Sequence, residues 1–258
     1  MSDNRTSKTI IYGPVQSRRF GKSLGINISG PGKYCSFNCI YCFRGFNEGS
    51  PDSQSACFPD LQQVINELDE YIENNDLNLL DDITIAGNGE PTDNRYLPEI
   101  IDYLNDLKIK KFHRLKISIL TNGMGFIPTV NPNFDTLLSS VNKVDRLCVK
   151  LDSGNPKTWN RIANPGNKVG FDVWLEAIRK IKSPFIQTML INGRIDNTTD
   201  EELEKLMDCY KILNPCLVYL ITLNKLSADS RIMPVPADKM QRIKKAIAEK
   251  VPSSILTQ

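Results

Sequence analysis

Leu24-Gly-Ile-Asn-Ile-Ser-Gly-Pro-Gly-Lys-Tyr-Cys-Ser-Phe-Asn-Cys-Ile-Tyr-Cys42 joins an apolar run, a Gly30-Pro31-Gly32 break and three cysteines. A short apolar run closed by glycine and proline reads as a buried strand, Leu24 to Ile28. The rest of the chain shows how that strand is used. Leu61, Val64, Ile65, Leu68 and Ile72 recur at helical spacing behind Pro59. Ile83 to Ala86 reads as a strand, Leu97 to Leu107 as a helix, and Leu115 to Leu120 as a strand ending in a Thr-Asn-Gly turn. A short helix follows over Phe134 to Ser140, and then a strand over Leu147 to Leu151. A helix capped by Asp172 covers Val173 to Ile181, and Phe185 to Ile191 is a strand. Thr199 and Glu202 make a capping box for a helix through Leu213. Leu217 to Leu223 is the last strand, before a final helix on Met240, Ile243 and Ile247.

Strict alternation of this kind implies a parallel sheet with helices packed outside it. About six β–α pairs are too few to close an eight-fold barrel. The expected fold is therefore α/β, a partial (β/α)6 TIM-like barrel with an open, curved parallel sheet. A flat doubly wound sheet is the alternative. Residues 1–9 read as a loose polar tail, and 10–258 as a single core domain ending in a helix.

The cysteines Cys35, Cys39 and Cys42 have the spacing C-x3-C-x2-C. They follow a strand, at the ligand-bearing end of a parallel sheet. Thiolates so spaced suit zinc or an iron–sulfur cluster. A structural zinc ion wants four protein ligands. The single histidine, His113, lies on another element in a basic turn, and Cys57 lies fifteen residues beyond Cys42. Three thiolates leave one metal position open, as a [4Fe–4S] cluster with one unliganded iron would have.

Composition is that of an ordinary globular protein, with 40% hydrophobic and 24% charged residues and a formal charge of +2. That balance does not point to nucleic acid or an anionic membrane. No apolar run reaches membrane-span length and the polar start lacks a signal-peptide core, so a cytoplasmic location is expected. Seven cysteines in a chain this long suit a reducing compartment. Cys57, Cys148, Cys209 and Cys216 read as small core residues.

The cysteine motif, with Tyr41 in the aromatic place, resembles that of the radical S-adenosylmethionine (SAM) superfamily. Gly87-Asn88-Gly89-Glu90-Pro91 resembles the superfamily's Gly-Gly-Glu segment. Residues 13–27, AGNGEPT, LTN, VKLDS and QTM look like the short proteins related to wyosine-base tRNA synthases, over about residues 10 to 225. The resemblance implies that Cys35, Cys39 and Cys42 hold three irons of a [4Fe–4S] cluster. The fourth iron would chelate SAM, whose reductive cleavage releases a 5′-deoxyadenosyl radical. It further implies that Tyr41 and Gly87 to Glu90 serve the cofactor, and that the strand carrying Gln187 helps seat the adenosine. Ser118 and Asn122 share one parity on their strand and could reach the ribose. An electron donor such as flavodoxin or ferredoxin is implied as partner. A small molecule or peptide is the expected substrate, and a tRNA base the alternative. A non-catalytic metal-binding protein is the reading from another class. No cysteine precedes Cys35 to bind a second cluster.

Alternation in Leu147-Cys-Val-Lys-Leu-Asp152 puts Cys148, Lys150 and Asp152 on one face of a strand. Helices must cover the apolar face, so Lys150 and Asp152 turn inward as candidate catalytic, SAM-binding or substrate-binding residues. A lysine there could also form a Schiff base with a carbonyl substrate. A buried structural ion pair is the other reading. Gln187 could equally be ordinary strand packing, and Asn122 could simply shape its turn. Arg18 and Arg19, with Lys22, could clamp a substrate phosphate or carboxylate, or form a solvated charged loop.

Overall fold

Strands and helices alternate as the periodicity requires, in a mixed α/β fold with an open, mostly parallel sheet. The computed structural model describes residues 7–53, 56–166 and 169–251, and the backbone of 254–257. The chain folds into two compact units, 1–36 with 47–147 and 37–46 with 148–258. Most of the expected tail, residues 1–6, lies outside the described residues.

The first unit opens with an antiparallel pair, β1 (Ile11–Ser17) and β2 (Gly21–Ile26). β1 has no counterpart among the expected strands, because Gly13-Pro14 interrupts its apolar pattern. An edge strand with an irregular register tolerates that proline. α1 (Leu61–Asn74) starts at a capping box made by Asp60 and Gln63, and it buries Val64 and Leu68. β3 (Asp82–Ile85), α2 (Leu97–Lys111), β4 (Lys116–Thr121) and α3 (Phe134–Val141) follow. β2, β3 and β4 are parallel neighbours, in register at Ser23, Asp82 and Lys116. Their C-terminal ends therefore share one edge.

β5 (Arg146–Lys150) carries the chain into the second unit. There α4 (Pro156–Ala163) is an addition to the expected elements: two turns, capped by Asn155 with proline at its start. α5 (Phe171–Ile178) begins two residues earlier than expected, with Gly170 rather than Asp172 at the cap. Asp172 sits in the first turn instead, where its charge suits the helix dipole. β6 (Phe185–Gly193), α6 (Asp200–Leu213), β7 (Leu217–Thr222), β8 (Ile232–Pro234), α7 (Ala237–Lys250) and β9 (Ser254–Thr257) complete the unit. β9 lies parallel to β7, and β8 pairs antiparallel with β6. Thr199 caps α6 as expected, but Glu202 does not close the box. Its carboxylate accepts from Ser153, Asn155 and Thr158, tying α6 to the segment after β5.

At the N-terminal end of the first unit's strands, Asp82 is fully buried. It accepts from Ser23, Thr84 and Ser118 and pairs with Arg146 at 3.1 Å. Burial pushes its carboxyl up to about 6, against the pull of these partners. The fold therefore holds the proton more tightly than the unfolded chain does. Asp82 contributes most at low pH, and that contribution is lost as pH rises through about 6. Asp82→Asn is expected to flatten the pH dependence of stability between about pH 4 and pH 7, removing a fall of about 3 kcal/mol. Urea unfolding of both proteins at the two pH values checks this. Equal slopes would refute it.

Candidate functional site

In the first unit, three loops leave the shared strand edge. The loop after β2 leads to Cys35. Asn27 folds back on it, its Nδ2 donating to the Gly30 carbonyl at 2.9 Å. The loop after β3 is Gly87 to Glu90. The backbone N–H of Asn88 donates to Asn27 Oδ1 at 3.1 Å, so the two loops are joined. The Asn88 side chain donates to the Gly30 and Ser7 carbonyls and accepts from the Ser7 N–H, each at 2.8 Å. Asn88 is thus occupied in holding loops together. Gly89 is required by close approach: a Cβ there would lie 2.0 Å from the Tyr34 carbonyl oxygen, one residue before Cys35. A Cβ on Gly87 would meet Asn27 Oδ1 at the same distance.

Glu90 is buried, and its carboxylate links this loop to the one after β4. Oε1 accepts from the Thr92 N–H and from the Thr92 and Thr121 hydroxyls, and Oε2 accepts from the Asn122 N–H at 2.6 Å. Burial raises the Glu90 carboxyl although these donors pull it down. Asn122 both shapes its turn and faces the cysteine. Its Oδ1 accepts from the Met124 N–H at 2.9 Å, while Nδ2 lies 3.7 Å from Cys35 Sγ and 3.0 Å from Ser36 Oγ. Asp93, which the sequence did not single out, accepts from the Ser36 N–H at 2.9 Å. Burial and the neighbouring Glu90 raise its carboxyl well above the usual range. Asn47 donates to the Cys35 carbonyl at 2.7 Å. Nothing periodic marks Asp93 or Asn47.

In the second unit, the segment carrying Cys39 and Cys42 lies against the end of α4. The Asn38 N–H donates to the Ala163 carbonyl and the Ile40 N–H to the Ile162 carbonyl, each at 3.0 Å. Phe37 packs edge-on to Trp159. Tyr41 donates to Asp152 Oδ2 at 2.6 Å, and Asp152 Oδ1 accepts from the Met189 N–H at 2.8 Å. Burial raises both groups: the Asp152 carboxyl despite its donors and Lys150, the Tyr41 phenol further still beside Asp152 and Cys39. Lys150 Nζ stands 5.7 Å from the Tyr41 ring centroid. Lys150, at the end of β5, and Asp152, just beyond it, thus both meet Tyr41. Gln187 pairs in register with Lys150, and its Oε1 is buried with no hydrogen-bond partner.

Other candidates lie elsewhere. The Ser118 hydroxyl joins the Asp82 network, about 13 Å along the strand from Asn122. Arg18 and Arg19 occupy the turn between β1 and β2, at the far end of β2 from the cysteine loop. Arg19 lies over Phe20, as does Arg146. Cys148 and Cys209 are buried as expected, the Cys209 thiol pushed up to about 12 by burial, whereas Cys57 and Cys216 are exposed. His113 is exposed in its basic turn.

Among the described residues no three His, Cys, Asp or Glu side chains are gathered to hold a single metal ion. A four-iron cluster makes a different demand: each thiolate binds its own iron, so the sulfurs stand farther apart than ligands of one ion. The donor set suits it. None of the seven cysteines is in a disulfide, and Cys35 and Cys42 are partly exposed. Ser29 Oγ beside Gly89 and Gln187 Oε1 on β6 are buried without a hydrogen-bond partner. Unsatisfied buried polar groups are uncommon in a finished fold, and a bound ligand is one remedy. Three thiols within eight residues, none in a disulfide, are the donor chemistry an iron–sulfur cluster takes.

Comparison with known proteins identifies the family. The family model described as Radical SAM superfamily matches residues 30–210. A UPF0026 protein of Methanocaldococcus jannaschii is 31% identical over 239 residues, 91% of this chain and 70% of the relative. A Brachyspira hyodysenteriae protein named GTPase Obg is 29% identical over 252 residues, 95% of this chain. This chain spans only 35% of that relative's length. Among solved structures, Streptococcus suis SuiB bound to precursor peptide SuiA superposes with a TM-score of 0.65 at 15% identity, covering 91% of this chain and 48% of SuiB. TYW1 with a lysine–pyruvate adduct bound gives 0.59 at 16% identity, covering 89% and 74%. At these identities the likeness to solved structures is one of fold. No helix among the described residues is long and apolar enough to cross a membrane.

Proposed function

The chain belongs to the radical SAM superfamily and is an enzyme of that family, and from that premise we propose that Cys35, Cys39 and Cys42 hold a [4Fe–4S] cluster whose open iron takes SAM. The carrying observation is the cysteine loop itself: three thiols within eight residues, none in a disulfide, with the motif residue Tyr41 tied to buried Asp152. When bound and reduced, the cluster with SAM supplies a 5′-deoxyadenosyl radical that takes hydrogen from a small-molecule or peptide substrate.

The chain's own residues prepare that chemistry. Gly87 and Gly89 let backbone carbonyls approach a cation, and buried Glu90 fixes the loop that carries them. Asn122 steadies the Cys35 thiol. Gln187 Oε1 offers an acceptor to a ligand N–H. Asp152, with both oxygens engaged, positions Tyr41 and its segment. Lys150 then offers its cation to a SAM or substrate carboxylate. The adduct in the TYW1 structure is the carbonyl chemistry a lysine can perform, and it makes a Schiff base at Lys150 the second reading.

Anaerobic reconstitution with iron and sulfide should give about four irons per chain. The reduced protein should then release 5′-deoxyadenosine from SAM. A protein that takes up zinc at full occupancy and leaves SAM intact would falsify this reading.

A further inference from the structure

Directly after Cys42, the second unit turns apolar side chains outward. Phe43 is 38% exposed and Phe46 49%, and Leu226 on the loop after β7 is 84% exposed. Arg44 Cζ and Lys225 Nζ each lie 4.6 Å from the Phe43 ring centroid. The Lys225 loop is not loosely attached. The Asp229 N–H donates to the Ile40 carbonyl at 2.8 Å, which pins the loop to the cysteine segment. The Asp229 carboxylate in turn accepts from Arg194 and Arg231 at 2.9 Å each, and Ser227 Oγ donates to its carbonyl at 2.7 Å. Apolar side chains and cations are therefore held together at the residue next to a proposed cluster ligand.

We propose that this surface is the docking face for an acidic one-electron donor protein of the flavodoxin or ferredoxin class. The inference rests on the cluster reading above. Each SAM cleavage consumes one electron: the donor is oxidised by one, the cluster is reduced by one, and no bond forms at the face. Electron transfer weakens steeply with distance, so the donor must dock beside the cluster's own ligands, and Phe43 is one peptide bond from Cys42. An apolar centre with cations beside it suits a small, transient, charge-steered contact with an anionic partner. Nucleic acid fits less well. Bases stack on open aromatic faces, and Phe43 is already approached by two cations.

The test uses reconstituted holoenzyme and the double variant Lys225→Glu/Leu226→Asp, with reduced flavodoxin as probe. Cluster bleaching is followed by stopped flow, and dithionite serves as a small reductant that needs no docking. Flavodoxin-driven reduction is expected to fall by about tenfold or more in the variant and to weaken with salt in the wild type. Dithionite-driven reduction and SAM cleavage should be unchanged. Equal flavodoxin rates in a loaded wild type and variant overturn the docking face alone. So does a variant that loses a tRNA gel shift while its flavodoxin rate holds. A wild type that takes up no cluster overturns the docking face together with the reading beneath it.

Discussion

Cys39→Ala is expected to leave the fold standing and remove the chemistry. The thiol is 5% exposed, so its loss costs on the order of 1 kcal/mol of stability. The backbone of the loop is held by other groups: the Asn38 and Ile40 N–H groups on the end of α4, and Asp229 on the Ile40 carbonyl. A missing ligand is a different matter. Outer partners of metal sites are worth about 10–100-fold in affinity or activity, and a ligand is worth more. Iron content after anaerobic reconstitution and 5′-deoxyadenosine release should both fall by at least about a hundredfold. Exposed Cys57→Ala serves as the control and should retain both. Full iron and undiminished SAM cleavage in the Cys39 variant would end the cluster assignment.

Asp152 is expected to separate position from charge. Asp152→Ala leaves the Tyr41 hydroxyl and the Met189 N–H buried without their acceptor. Each such group costs about 1–3 kcal/mol, so a loss of about 4 kcal/mol is expected. Cluster loading should fall with it, because Tyr41 lies between two of the ligands. Asp152→Asn keeps an oxygen for Met189 and turns an N–H toward the phenol oxygen. Burial raises the Asp152 carboxyl and so weighs against its charge, which the amide also lacks. Urea unfolding should show a loss within about 1 kcal/mol, and activity should stay within about tenfold. A well-folded, fully loaded Asp152→Asn protein that is as inactive as the alanine variant would show that the carboxylate acts on substrate.

Much of this architecture could be read from spacing. Strand-length apolar runs and helical periodicity located β2 to β7 and the long helices, because burial on one face repeats at a fixed interval. Parity along Leu147 to Asp152 puts Lys150 and Asp152 on one side, and each lies against Tyr41. Spacing failed where the pattern is too short or broken. β1 contains Pro14, and α4 has only two turns. It also failed where partners are distant in sequence. Asp93 reaches Ser36 across 57 residues, and Arg146 reaches Asp82 across 64. Ser118 shares parity with Asn122, yet a strand has length as well as faces, and Asp82 takes its hydroxyl. Arg18 and Arg19 lie in the turn before β2, and the cysteine loop leaves its other end.

The reciprocal pair between Ser7 and Asn88 has a practical side. Ser7 meets the Asn88 side-chain amide much as one strand residue meets the next strand, and that amide also grips Gly30. Trimming the chain past Ser7, or fusing a bulky affinity tag hard against it, would tug on the glycine segment from behind.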